Sequence, residues 1–201
     1  MKIRHQILLA CLVLAIGYLA YSFMQFRSEM LKVYDVADIY TLGNVQGDLM
    51  VVDFNRPACP KCHTLHPIIL EAVKKDGNIR YIPRILMSQD AWLDTISMSV
   101  YAAAHQGKFA EMYDLVYREW PIKDKKELLA HAENIGLDTE QLSRDITRPE
   151  VRQALEDNQM FFESWNLGMT PSVLIGDSQI YRPINDSPSV PALLDAFDAA
   201  R

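Results

Sequence analysis

At 201 residues the chain is long enough for one domain with a sizeable core and no structural staples. Its net charge is −6 and no basic stretch is long enough to track a phosphate backbone, which argues against nucleic acid as a partner. There are three cysteines, one of them in an apolar N-terminal run; that excludes a disulfide framework and leaves a local pair for chemistry or metal.

Lys2 and Arg4 precede an uncharged run from Ile7 to Met24, and Arg27 follows it. The run has the length of a short membrane span. Its flanking charges orient the N-terminus to the cytoplasm and the rest of the chain outside. Residues 1–27 are therefore expected to be an uncleaved signal anchor, single-pass in a bacterial inner membrane, with the remaining chain in the periplasm. The alternative is a cleaved signal peptide with its site at Ala15-Ile16-Gly17, which leaves a soluble periplasmic protein. That mature chain would begin with the apolar Tyr18-Leu19-Ala20-Tyr21. Leu8-Leu9-Ala10-Cys11 mimics a lipoprotein site, but the apolar run continues past the cysteine. All three versions export the rest of the chain to an oxidising compartment.

Residues 28–40 mix charges with helix-spaced apolar residues and are expected to be a linker or short stalk. Leu49 to Asn55 reads as a buried strand. A helix-like stretch follows from Thr64 to about Lys75, and Ile79 to Leu86 reads as a second strand. From Asp90 to about Leu167 the pattern is helical, in segments Ala91–His105, Lys108–Glu119, Lys125–Ile135, Thr139–Asp145 and Glu150–Trp165. Gly107, Pro121, Gly136 and Pro149 punctuate them. Ser172 to Gly176 and Gln179 to Arg182 read as a hairpin around Gly176-Asp177. Val190 to Ala200 closes the chain as a helix. The pattern is a β-α-β half and a β-β-α half separated by a helical insertion.

The chemistry is concentrated in Cys59-Pro60-Lys61-Cys62-His63. A strand followed by C-x-x-C at a helix start is a thioredoxin-type redox signal, while C-x-x-C-H is also the c-type haem attachment pattern. Pro60 suits the first turn of a helix. Cys59 then faces the backbone N–H groups of the helix start, where its pKa falls, and Lys61 adds a cation, with Arg56 and His63 as further candidates. Cys62 lies a turn inward as the resolving thiol. Zinc is disfavoured: Cys59, Cys62, His63 and His66 come from one short helix, which cannot wrap a tetrahedral ion. Asp53 interrupts the apolar run Val51-Val52-Asp53-Phe54, and a carboxylate buried there needs a role or a partner. Placed behind the pair, it can carry the resolving thiol's proton. Thr170-Pro171 opens the apolar run Ser172–Ile175; a cis peptide there would expose Thr170 backbone to an extended peptide. Trp92, Trp120 and Trp165 read as packing, and His105 and His131 have no partner at metal-ligand spacing.

These features together resemble the DsbA-like branch of the thioredoxin superfamily. The resemblance spans roughly residues 41–201. It rests on Leu42-Gly43-Asn44, the strand around Asp53, the C-P-x-C-H stretch, Gln106-Gly107-Lys108-Phe109 and Gly168-Met169-Thr170-Pro171-Ser172. It implies an α/β chain with a thioredoxin-like fold and an inserted α-helical domain at about 90–167, preceded here by the N-terminal transmembrane helix. It also implies Cys59 as nucleophile, Cys62 as resolving cysteine, Asp53 as buried acid and Pro171 as a cis-proline facing the pair. Pro60, Lys61, His63 and Thr170 are the expected modulating or substrate-contacting residues. The family's acid is commonly Glu, and many relatives have Gly where Met169 stands.

The expected activity is thiol-disulfide exchange with cysteine-containing exported proteins, in the oxidase direction, with no cofactor beyond the Cys59–Cys62 disulfide and no metal. Isomerase or reductase action is the alternative, and a c-type cytochrome a remote one. The expected partners are those clients, the membrane through the anchor, and a membrane redox protein that resets the pair. Residues 28–40 are too short for a dimerisation domain, so a monomer is expected, with a small helical oligomerisation stalk over that segment as the alternative.

Overall fold

The computed structural model describes residues 2–88, 90–176, 179–181 and 188–201. The chain forms two compact units, residues 1–35 and 36–201.

The first unit is helix α1 (Lys2–Leu31) with a short 3-10 turn at Lys32–Tyr34. Its large apolar side chains from Leu12 to Phe26 are exposed. From Cys11 onward they alternate with Tyr18, Tyr21, Ser22, Gln25, Arg27 and Glu29. Among the described residues no helix is long and apolar enough to cross a membrane. The expected anchor over Ile7 to Met24 is not shown by the described residues, which take in its side chains only from Cys11 onward; those of Ile7 to Ala10 lie outside them. The expected linker at 28–40 also starts late, since α1 runs on through Leu31 and a second 3-10 turn covers Asp38–Tyr40.

The second unit is built on a five-stranded sheet in the order β1-β3-β2-β4-β5. Its strands are β1 (Leu42–Gly43), β2 (Leu49–Asn55), β3 (Ile79–Ile85), β4 (Ser172–Ile175) and β5 (Gln179–Tyr181). Only β2 and β3 are parallel; β1, β4 and β5 run antiparallel to their neighbours. The parallel pair is joined by helix α2 (Pro60–Asp76), the crossover such a pair requires. β2 is central, and every residue in it except Met50 is buried, which explains its near-continuous apolar run. Pro83 sits inside β3, which a central strand does not accept. It is tolerated because β1 pairs only with Arg80 and Tyr81, leaving β3 an edge strand from there on. The two-residue β1 escaped the sequence pattern. Gly43 makes it possible: its φ is +75°, and a Cβ there would meet the Ile79 carbonyl at 2.5 Å.

The insertion is helical, as the segment spacing implied. Helices α3 (Ala91–Ala103), α4 (Phe109–Arg118), α5 (Lys125–Asn134), α6 (Thr139–Asp145) and α7 (Pro149–Ser164) follow in turn. Asp90, Asp124 and Asp138 cap α3, α5 and α6 through their carboxylates, each satisfying end N–H groups that would otherwise be orphaned. The last helix, α8 (Val190–Ala199), starts on a Ser189 cap and packs along α2. The hairpin expected at Gly176-Asp177 is formed by β4 and β5; Asp177 and Arg182 lie outside the described residues.

Candidate active site

Cys59 is the N-cap of α2, with Pro60 at the first helical position. Proline fits there because that position's N–H has no partner within the helix. The helix thus begins at Pro60, in the first turn that the proline implied, and the thiol is its capping group. Cys59 Sγ accepts the backbone N–H of Cys62 at 3.3 Å. Both thiols are free, Cys59 half-buried and Cys62 only 2% exposed.

The two thiols are driven apart in acidity. Cys59 is lowered to about 5, first by a hydrogen bond from the Cys62 side chain, then by bonds from the Thr170 side chain and from the Cys62 and Lys61 backbone; partial burial opposes them. Cys62 is pushed far up, first because it donates to Cys59, then by burial and by the negative charges of Asp53 and Cys59. The cations expected to help Cys59 are not its principal causes. Lys61 is exposed and contributes through its backbone N–H. Arg56 donates from Nε to the Met87 carbonyl. His63 turns its ring against Tyr117 and Trp120, with Nε2 on the Pro57 carbonyl.

Removing the Cys62 donor is therefore the direct test of the Cys59 environment. Cys62→Ala is expected to raise the Cys59 midpoint from about 5 by at least about one unit. Cys62→Ser keeps a hydroxyl donor and should hold it nearer its starting value. Ultraviolet thiolate titration of the two variants reads the difference.

Across from the pair, the Thr170–Pro171 peptide is cis. The Thr170 carbonyl stands 3.6 Å from Cys59 Sγ and accepts its S–H in the thiol form. Pro171 leads directly into β4, which pairs with β2 through Ser172↔Phe54 and Val173↔Asp53. The sheet register thus brings residues 170 and 171 to the strand end where α2 starts.

Asp53 lies beneath, 3% exposed. Its Oδ2 accepts from the Tyr81 hydroxyl at 2.8 Å and the Asn55 amide at 3.1 Å. Its Oδ1 is buried with no hydrogen-bond partner among the described residues. Burial outweighs the two donors and pushes the carboxyl up to about 6, with the Cys59 charge adding to the rise.

A family profile described as thioredoxin matches residues 35–196. The chain belongs to the thioredoxin family. Among solved structures it is similar to a thioredoxin-like oxidoreductase from Silicibacter pomeroyi, 28% identical, with a TM-score of 0.74 over 85% of this chain and 96% of that one. The fold is also shared with the thiol-disulfide exchange protein α-DsbA2 from Wolbachia pipientis, 18% identical, TM-score 0.77, covering 88% and 95% of the two chains. The catalytic domain of Proteus mirabilis ScsC is similar at 15% identity and a TM-score of 0.73, covering 88% and 97%. A curated relative, the Na(+)/H(+) antiporter NhaA 3 of Salinispora tropica, is 24% identical over 161 residues. The match takes in 79% of this chain, which spans about a quarter of that relative's length.

The site of this thioredoxin-family chain extends beyond the residues legible in its sequence. Asn55 is buried and bridges three groups: its amide donates to Asp53 and to the Tyr113 hydroxyl, and its Oδ1 accepts from Tyr117. Tyr81 and Tyr113 are hydroxyl to hydroxyl at 3.1 Å. His66 stacks on Tyr117 with 4.2 Å between ring centroids and reaches Asp114 at 3.2 Å. This polar cluster holds the Asp53 carboxylate through Oδ2 and leaves Oδ1 without a donor among the described residues. One signal was present in the sequence: Asn55 follows Asp53 by two residues and so shares its face of the strand. Tyr113 and Tyr117 are one helical turn apart, a spacing that reads equally as ordinary core.

Proposed function

We propose that this DsbA-like oxidoreductase works as a protein disulfide oxidase on exported, cysteine-containing proteins. The observation that carries the reading is the opposed acidity of the two thiols, Cys59 lowered to about 5 and Cys62 raised. A stabilised Cys59 thiolate favours the reduced dithiol, so the disulfide form is the stronger oxidant.

The exchange balances as follows. A client thiolate attacks Cys59 Sγ of the Cys59–Cys62 disulfide; a client–Cys59 bond forms and the Cys62 sulfur leaves with the electron pair. Cys62 is the sulfur whose anion the site disfavours, and it takes a proton from Asp53, which at a pKa of about 6 holds one part of the time near neutrality. A second client thiolate then attacks the client sulfur of the mixed disulfide, releasing Cys59 as the stable thiolate. The client loses two electrons, and the protein gains them as one thiol and one thiolate. Thr170 lies where an extended client backbone would pair, beside the attacked sulfur, and Pro60 and Lys61 present the exposed rim of the motif.

The charged N-terminus ahead of an apolar run supports delivery to the periplasm, where a membrane redox protein returns the pair to the disulfide. The reading takes the protein as a monomer with no cofactor beyond the cysteine pair. Because Lys61 works through its backbone, Lys61→Glu should move the Cys59 midpoint by less than about half a unit. A shift of a full unit would return the exposed ammonium to the centre of the account. The proposal itself is tested by the reoxidation of a reduced, unfolded client protein. Wild type in its disulfide form should restore client activity in a stoichiometric burst, and neither Cys59→Ala nor Cys62→Ala should, because neither can form the disulfide that takes the client's two electrons.

A further inference from the structure

A cavity lies in the helical insertion, lined by residues that disulfide exchange does not use. Helices α3, α5, α6 and α7 leave between them a semi-enclosed cavity of about 730 Å³. Its floor is apolar, from Met98, Leu128 and Ile146, all buried, with Trp92 and Leu129 along the sides. That volume falls in the range of about 300–1,000 Å³ usual for small-molecule sites.

Three cations stand at its mouth: Lys125, Arg148 and Arg152. Arg148 is spent on the fold. Its Nε pairs with the buried Asp145 carboxylate at 2.6 Å and its Nη1 with Glu150. Those contacts lock the turn between α6 and α7 that forms one wall. Lys125 and Arg152 are different. Both are exposed, and neither side chain has a hydrogen bond or ion pair among the described residues. Two uncommitted cations over an apolar pocket, on a chain of net charge −6, are a local reversal of sign. They complement a ligand with one anionic head and an apolar body.

We propose that this cavity binds an amphipathic organic monoanion, a medium-chain carboxylate or a compound of that shape, with the tail on Met98, Leu128 and Ile146 and the head between Lys125 and Arg152. The site is independent of the thiol chemistry. It has its own reporter, because Trp92 lines it and is held in place by an indole N–H donated to the Ile122 carbonyl at 2.9 Å.

The test uses the full chain and decanoate as probe, followed by calorimetry and by tryptophan fluorescence, with 1-decanol as the neutral control. Saturable one-to-one binding of decanoate is expected, weakened by added salt, with decanol at least about tenfold weaker, the equivalent of about 1.4 kcal/mol for the head group. The double variant Lys125→Glu/Arg152→Glu should lose affinity by about tenfold or more; both positions are exposed, so the fold is kept. Thr95→Trp, which fills the cavity from its wall, should abolish binding and leave client oxidation intact. Equal binding of decanol, an unchanged affinity in the charge-reversed variant, or binding retained in Thr95→Trp would each overturn the proposal. Loss of disulfide exchange in Cys59→Ala with decanoate binding intact is the expected separation of the two sites.

Discussion

Iodoacetamide at pH 6 is expected to label Cys59 at least about a hundredfold faster than Cys62. At that pH a thiol of pKa about 5 is about nine-tenths thiolate, while one at or above its ordinary value is ionised to about one part in a thousand. The lower nucleophilicity of the more acidic thiolate takes back part of the ratio, and the burial of Cys62 restores it. The rate at Cys59 should rise with pH through a midpoint near 5 and be level by pH 7. The same titration has a thermodynamic consequence. The Cys59 value is depressed on folding, so it stabilises the reduced protein above the unfolded thiol's pKa, and the gain is lost as pH falls through about 5. Mass spectrometry of singly labelled protein reads the site. Faster labelling of Cys62 would reverse the assignment of nucleophile and resolving thiol.

Asp53→Asn is expected to make the reduced protein more stable and a slower oxidant. Burial raises the Asp53 carboxyl from 3.8 to about 6, so the fold holds its proton more tightly than the unfolded chain does. Between those two values the native state binds more protons, and wild-type stability falls as pH rises from about 4 to about 6, then stays level. A rise of about two units at about 1.36 kcal/mol each puts the cost at about 3 kcal/mol at pH 7. Asn carries no charge and should recover most of it, since Tyr81 and Asn55 can still donate to its carbonyl. Below about pH 4 the two proteins should converge. Client oxidation should slow by about tenfold or more, because Cys62 loses its proton source on leaving. Urea unfolding at pH 4 and pH 7, alongside exchange rates, separates the effects. An equal stability difference at both pH values would mean that packing, not the charge, is responsible.

The sequence carried the site further than it carried the edges of the fold. A proline at the second motif position, directly after Cys59, fixed where α2 begins, and Asp53 in an apolar strand marked the buried acid. The parallel pair and the insertion followed from periods of two and of 3.6 residues. What stayed hidden depends on distant contacts. β1 is two residues held by Gly43 against Ile79, too short to leave a pattern. The tyrosine cluster around Asn55 joins β2, β3 and α4 through hydroxyl bonds, and each tyrosine alone reads as core. Lys61 shows a related limit: its charge is visible in a sequence, whereas the bond from its backbone N–H and the Cys62 S–H aimed at Cys59 are matters of geometry. The N-terminal run gave a membrane reading from its uncharged length; the side chains of Ile7 to Ala10 lie outside the described residues, and the part from Cys11 onward does not by itself reach a span.

The central claim is that the site stabilises its own reduced form, and the reduction potential of the Cys59–Cys62 couple tests it most directly. At pH 7, lowering Cys59 from 9.0 to about 5 favours the reduced state by a factor of about 100, or about 60 mV for a two-electron couple. Equilibration with glutathione should place the potential well above the value of about −270 mV typical of thioredoxin, toward the value of about −120 mV typical of DsbA. A potential at or below about −270 mV would contradict the account and make the protein a reductase.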